Sequence, residues 1–207
     1  MSVAATQAAH APAGHGRVSR AHLNRVGLWL FFFSETFLFG ILFATRFYLL
    51  GLEQAHVDQL LGLAITIVLL LSSVTAFTAE TAFEHDRRRL GIWMLIATIV
   101  LGIVFALGVG YEWSSAHFSL KPEAGLPLEE RHLEHTYATV FFTMTGVHAA
   151  HVISGVGLLA LVLVQAMRGR FNRQDHWPVS GVVMYWHFVD VVWVFFYPAL
   201  YLMDFHQ

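Results

Sequence analysis

The sequence predicts an all-α membrane protein: a five-transmembrane-helix bundle with its N-terminus cytoplasmic and its C-terminus external. Three observations carry this. Of 207 residues, 57% are hydrophobic and only 13% charged, about half the charged share of an ordinary soluble domain. The apolar residues gather into five runs, 26–50, 60–79, 91–111, 137–165 and 179–203, each near the ~20 residues that a helix needs to cross a bilayer. The basic residues alternate between sides. Arg17, Arg20 and Arg25 precede the first run, Arg87, Arg88 and Arg89 follow the second, and Arg168, Arg170 and Arg173 follow the fourth. The segments on the other side hold only Arg46, Lys121 and Arg131. The basic side is the cytoplasmic one, and opposite termini require an odd number of spans.

Residues 1–25 are read as a mobile cytoplasmic tail, and 26–207 as one membrane domain. The tail has no apolar core ending in a small-residue cleavage site, so it does not read as a signal peptide. Its His10 and His15 match no metal-ligand spacing. The first span carries Glu35 within Phe31-Phe32-Phe33-Ser34-Glu35-Thr36-Phe37, roughly 13 Å deep at about 1.5 Å per residue. A bare carboxylate at that depth is costly, so Glu35 is neutral or paired. A structural acid and a proton-exchanging group both remain open.

The second run ends in Glu80 and Glu84, ahead of Arg87–Arg89, a pattern that predicts weak ion pairs at the membrane edge. Residues 112–136 form the longest connection, with Pro122, Pro127, Glu112, Glu123, Glu129, Glu130 and Glu134. It reads as a solvated loop or as a surface for an external partner. Trp93 and Trp177 on one side, and Tyr111, Trp113, Tyr197 and Tyr201 on the other, sit at interface depth.

In the fourth run, His148 and His151 are spaced to share a helical face. Imidazole suits several metals, but two histidines on one helix are half a site. The surrounding Gly146, Ala149, Ala150, Ser154 and Gly155 favour a close helix contact with the histidines bonding across it. In the fifth run, His187 and Asp190 form a second buried pair. An aspartate can hold an imidazole in one tautomer, as in a proton relay or behind a metal, or the two can be structural. Trp186 and Trp193 flank them, and their indole N–H groups need acceptors, which the neighbouring acids are expected to supply. Arg168, Arg170 and Arg173 form a basic patch suited to anionic lipid headgroups; orientation by positive charge alone also explains it.

The absence of cysteine excludes disulfides, haem attached through C-x-x-C-H, thiolate metal sites and a cysteine nucleophile. There is no Gly-rich phosphate loop, nucleophile elbow or nucleic-acid signature. No internal repeat points to an inverted-repeat transporter.

Several motifs, in order, resemble one family. Phe32-Phe33-Ser34-Glu35-Thr36-Phe37, with Gly27 and Phe31 at matching offsets, is similar to its F-x-x-S-E-x-x-F helix. Thr145 to Gly155 is similar to T-G-F-H-G-L-H-V-I-x-G, with Val147 in place of Phe and Ala149-Ala150 in place of Gly-Leu. Gly110-Tyr111-Glu112-Trp113 is similar to the acidic exit of an intermediate helix. The most specific is Tyr185-Trp186-His187-Phe188-Val189-Asp190-Val191-Val192-Trp193, followed by Pro198 and Tyr201. From Gly27 to Met203 the chain resembles subunit III of the haem–copper terminal oxidases, in the short five-helix bacterial form.

The resemblance implies a non-catalytic subunit of a bacterial aerobic respiratory oxidase, with cytochrome c oxidase preferred. The alternatives are subunit III of a quinol oxidase, a related accessory protein of nitric oxide reductase, or, in a different class, a histidine-based membrane redox protein or transporter. It implies no catalytic residue and no metal in this chain, with the haems and copper in subunits I and II. It also implies direct packing on subunit I, contact with subunit II, structural phospholipids, support of proton uptake during oxygen reduction, and location in the bacterial inner membrane. Subunit IV and a respiratory supercomplex stay open as partners. The intramembrane polar candidates are Glu35, His148, His151, His187 and Asp190. The lipid-binding candidates are Gly27, Phe31, Arg168, Arg170 and Arg173.

Overall fold

A computed structural model describes residues 20–51, 58–115, 128–171 and 176–202. It contains five long helices: α1 (Arg20–Leu50), α2 (Gln59–Glu84), α3 (Arg88–Ser115), α4 (Leu128–Met167) and α5 (Trp177–Tyr197). A π-helical turn, Pro198–Leu202, completes α5. All five helices are long and apolar enough to cross a membrane, and no strand occurs among the described residues.

The helices extend beyond the apolar runs. α1 already begins at Arg20, inside the segment read as a tail, and α3 continues to Ser115, so that Glu112 belongs to a helix rather than to a loop. Hydropathy marks the part of a helix that meets hydrocarbon, whereas the helix itself ends only where turn chemistry stops it. Asp58 starts α2: its Oδ1 accepts from the Leu60 and Leu61 N–H groups at 3.0 and 3.1 Å, satisfying two of the donors that every helix start leaves open. Asp86, at φ 55°, breaks the path between α2 and α3. The Arg87 N–H then donates to the Ala82 carbonyl at 2.8 Å, and α3 begins at the next residue. Pro178, at the start of α5, needs no N–H bond there.

Helices α2 to α5 pack into the core of the bundle, with α2 and α3 as a tight hairpin, while α1 lies mainly against α4 and α5. Half of the α5 span is buried inside the chain but only 11% of the α1 span. α5 is therefore the central helix. α1 is the peripheral one, and presents Trp29, Leu30, Phe33 and Ile41 outward.

Small residues set the packing around α5. A Cβ built on Gly102 of α3 would lie 2.6 Å from the Trp186 ring, and one on Gly155 of α4 would lie 2.8 Å from the same ring. Trp186 is fully buried between these two helices, and its indole N–H donates to Ser72 Oγ on α2 at 2.9 Å. One side chain thus ties α5 to three neighbours. One turn-pair further along, the Trp193 N–H donates to Thr66 Oγ1 at 2.9 Å. Acceptors from the neighbouring acids were expected; the structure supplies hydroxyls on α2 instead. A hydroxyl that already donates to its own helix keeps lone pairs free, and Thr66 and Ser72 do this through Gly62 O and Leu69 O.

Candidate functional site

The predicted polar residues do not form one cluster. Glu35 and His151 come together across α1 and α4: Glu35 Oε2 lies 3.2 Å from His151 Nε2, with both side chains largely buried. The other ring nitrogen, Nδ1, is 2.8 Å from the Val147 carbonyl. A carbonyl can only accept, so Nδ1 carries a hydrogen. A carboxylate facing a bare Nε2 would set two acceptors against each other. One proton therefore lies between Glu35 and His151, held by the carboxyl or by the imidazole. The site continues through α5. Tyr185 Oη is 2.7 Å from Ser154 Oγ and donates to the His151 carbonyl at 3.2 Å.

His148 does not share this site. The two histidines were expected on one face, but three residues turn the helix by only ~300°. His151 faces α1, while His148 points into the core and is fully buried. Its ring packs at 4.9 Å from Trp193, 5.7 Å from Phe105 and 6.2 Å from Phe196. Neither of its nitrogens has a hydrogen-bond partner among the described residues. Bonding across a helix contact thus holds for His151 and fails for His148.

His187 and Asp190 are separated as well. His187 Nδ1 is 2.8 Å from Ser73 Oγ on α2 but 3.9 Å from Asp190 Oδ2. The histidine fastens α5 to α2 through a serine, and the aspartate is a buried neighbour beyond hydrogen-bond range. His187 also reaches a groove of 880 Å³ between α1 and α5, alongside Trp29, Phe33 and Phe188.

Of the lipid candidates, Gly27 and Phe31 lie about two turns and one turn before Glu35 on α1. Gly27 has open space where a side chain would stand. Phe31 lines a 440 Å³ groove with Leu161, Trp177 and Tyr185, between α1, α4 and α5. Arg168 and Arg170 are exposed just after α4, and Arg173 falls outside the described residues. Arg25, which precedes them at the same end of the bundle, lies 5.2 Å from the Trp177 ring.

The ion pairs expected between Glu80 or Glu84 and Arg87–Arg89 do not form among the described residues. Glu84 instead approaches His176 at 3.8 Å. Arg88 turns to α4, where Nε and Nη2 donate to the carbonyls of Ala166 and Met167 at 3.0 and 2.7 Å. These are the open carbonyls at a helix end, which a cation is well placed to satisfy.

At the opposite end the structure reveals polar residues that the sequence reading passed over. Arg46 is fully buried, with its guanidinium 5.7 Å from the Tyr137 ring centre. Glu112, read as a loop-edge acid, is 5% exposed and accepts from Tyr201 Oη at 2.6 Å. The π-turn carries Tyr201 inward over Gly62, where a Cβ would come within 2.6 Å of its ring. Tyr137 Oη donates to the Leu200 carbonyl in the same turn. The available signal was a lone arginine and a lone glutamate near the ends of apolar runs, positions that suit either the surface or the interior.

No group of three or more His, Asp or Glu residues among those described could hold an ion, and the two histidines of α4 diverge.

These features define a multi-pass helical membrane protein with polar contacts between helices inside its bundle. Residues 6–205 match the family described as cytochrome c oxidase subunit III. "Probable quinol oxidase subunit 3" of Staphylococcus haemolyticus (strain JCSC1435) is 32% identical over 198 residues, covering 90% of this chain and 92% of that protein. The protein of the same name from Staphylococcus aureus (strain USA300) matches to the same extent. The chain belongs to the subunit III family of the haem–copper oxidases. As a member of that family it is a component of a larger oxidase assembly.

Proposed function

We propose that this chain is the non-catalytic subunit III of a bacterial aerobic terminal oxidase, packed beside subunit I in the inner membrane. In this reading it holds phospholipid at its grooved face and sustains proton uptake while subunits I and II, with their haems and copper, reduce oxygen. The observation that carries the reading is the Glu35–His151 contact, within a chain that belongs to the subunit III family. A proton shared between a carboxyl and an imidazole on two helices inside the membrane suits support of proton movement. The groove lined by Phe31, beside the open surface at Gly27, suits acyl chains, and Arg168 and Arg170 suit lipid phosphates. Arg25, Arg87–Arg89, Arg168 and Arg170 mark one end of the bundle, and we assign that end to the cytoplasm.

The experiment is turnover of the oxidase with and without this chain. Oxygen reduction persists in its absence, but activity decays sooner during turnover and proton uptake slows. An unchanged lifetime and unchanged pumping in a complex verified to lack the chain refute the reading.

A second reading concerns the electron donor. The sequence reading preferred cytochrome c, whereas the named relatives are quinol oxidase subunits. On that observation we favour quinol as donor. Assay of the intact complex with each donor decides it: oxygen consumption with quinol but not with reduced cytochrome c supports this reading, and the reverse defeats it.

A further inference from the structure

We propose that the outer face of the α2–α3 hairpin binds an anionic phospholipid whose headgroup carries a hydroxyl donor, of the phosphatidylglycerol type. The site is a groove of 320 Å³ at the turn between the two helices. His85 and Arg87 stand at its polar side, and Phe77 and Leu90 form an apolar floor. Phe77 is 61% exposed, so an acyl chain lying there covers aromatic surface that the bundle leaves open.

The charges around this turn are sorted. Arg88 is committed to the end of α4 through two hydrogen bonds, which leaves Arg87 as the guanidinium facing the groove. The acids of α2 are turned toward α5: Glu84 meets His176, and Glu80 acts electrostatically on His187. Asp86, at the turn itself, does not line the groove. Among the described residues, the groove's lining thus presents cationic and imidazole groups and no carboxylate, and a guanidinium fork matches two phosphate oxygens.

The imidazole adds selectivity. His85 Nδ1 lies 2.8 Å from the Thr81 carbonyl, so Nδ1 carries the hydrogen and Nε2 of the neutral ring is an acceptor. An acceptor beside a phosphate-binding guanidinium calls for a headgroup with a hydroxyl to donate. A phosphoglycerol headgroup supplies both the anion and the donor; a simple alkyl phosphodiester supplies only the anion.

The test uses the purified complex containing the full chain in nanodiscs. Phosphatidylglycerol and phosphatidylethanol probes, carrying the same photoactivatable acyl chain, are cross-linked and mapped to peptides. The wild type labels at the α2–α3 hairpin, more strongly with the phosphatidylglycerol probe. Arg87→Gln lowers labelling there by both probes about ten-fold, as expected for loss of a charge-assisted contact, whereas Arg89→Gln leaves it unchanged. His85→Phe removes the preference between the probes and retains the phosphatidylethanol labelling. Equal labelling by the two probes in the wild type overturns the proposal. So do equal losses in Arg87→Gln and Arg89→Gln, which would show diffuse surface charge. The outcome is independent of the oxidase reading, because neither turnover nor donor enters the measurement.

Discussion

Glu35 and His151 face each other across α1 and α4 at 3.2 Å, a polar contact between the most lightly buried helix of the bundle and its neighbour. Because the Val147 carbonyl holds a hydrogen on His151 Nδ1, the pair needs one shared proton. Glu35→Ala removes that bond and Glu35→Gln preserves a neutral version, with the amide donating to Nε2. A double-mutant cycle between Glu35→Ala and His151→Ala, read from thermal unfolding in detergent, should give a coupling of about 0.6 kcal/mol and no more than about 1.7, the range of membrane interhelical hydrogen bonds. Glu35→Gln should retain the stability that Glu35→Ala loses. Additive single effects would show that the two side chains do not cooperate.

Trp186 needs the glycines that flank it. Gly102→Ala and Gly155→Ala each place a methyl against the Trp186 ring, and overpacking a closed core costs about 1–3 kcal/mol. Gly157 and Gly181 have nothing within 4 Å of a built Cβ, so alanine at those positions should leave the unfolding midpoint close to wild type. Equal tolerance at all four glycines would contradict the peg.

The hydroxyls of Ser72 and Thr66 accept from buried indoles. Ser72→Ala and Thr66→Val leave those N–H groups unsatisfied, at about 1–3 kcal/mol each. Pairing Thr66→Val with Trp193→Phe removes donor and acceptor together, and should restore part of the loss. Both effects are measurable by the same unfolding assay.

His148 makes the opposite prediction. Its ring is buried among aromatics and bonds to no group among the described residues. Replacement of an unsatisfied polar group by an apolar one of similar size is neutral or stabilising, so His148→Leu should keep or raise the unfolding midpoint. A loss above about 2 kcal/mol would reveal polar work by this imidazole.

Much of this protein is legible in its sequence. The five helices follow from apolar runs, and the candidate acid Glu35 stands out because a carboxyl within hydrocarbon requires an explanation. The partnership of Glu35 with His151 is harder to read, because 116 positions separate them and nothing local in either helix encodes its azimuth. The α4 histidines show the same limit from the other side. A spacing of three suggests a shared face, yet one turns to α1 and the other to the core, because the angle between them is enough to meet different neighbours. Glu112 was misplaced because α3 continues past its apolar run before ending at Ser115.

The sequence by itself determined the class of protein, the number of helices and the family. Those depend on composition and on short motifs, and length and hydrophobicity alone force the backbone to satisfy its own hydrogen bonds in a bilayer. Only the tertiary structure decided which polar groups meet. It paired Glu35 with His151 and His187 with Ser73, gave the indoles to Ser72 and Thr66, and left Asp190 beyond hydrogen-bond range of His187. Those choices depend on helix rotation and on the approach that Gly102 and Gly155 permit around Trp186. Both are properties of packed surfaces, which no single helix carries.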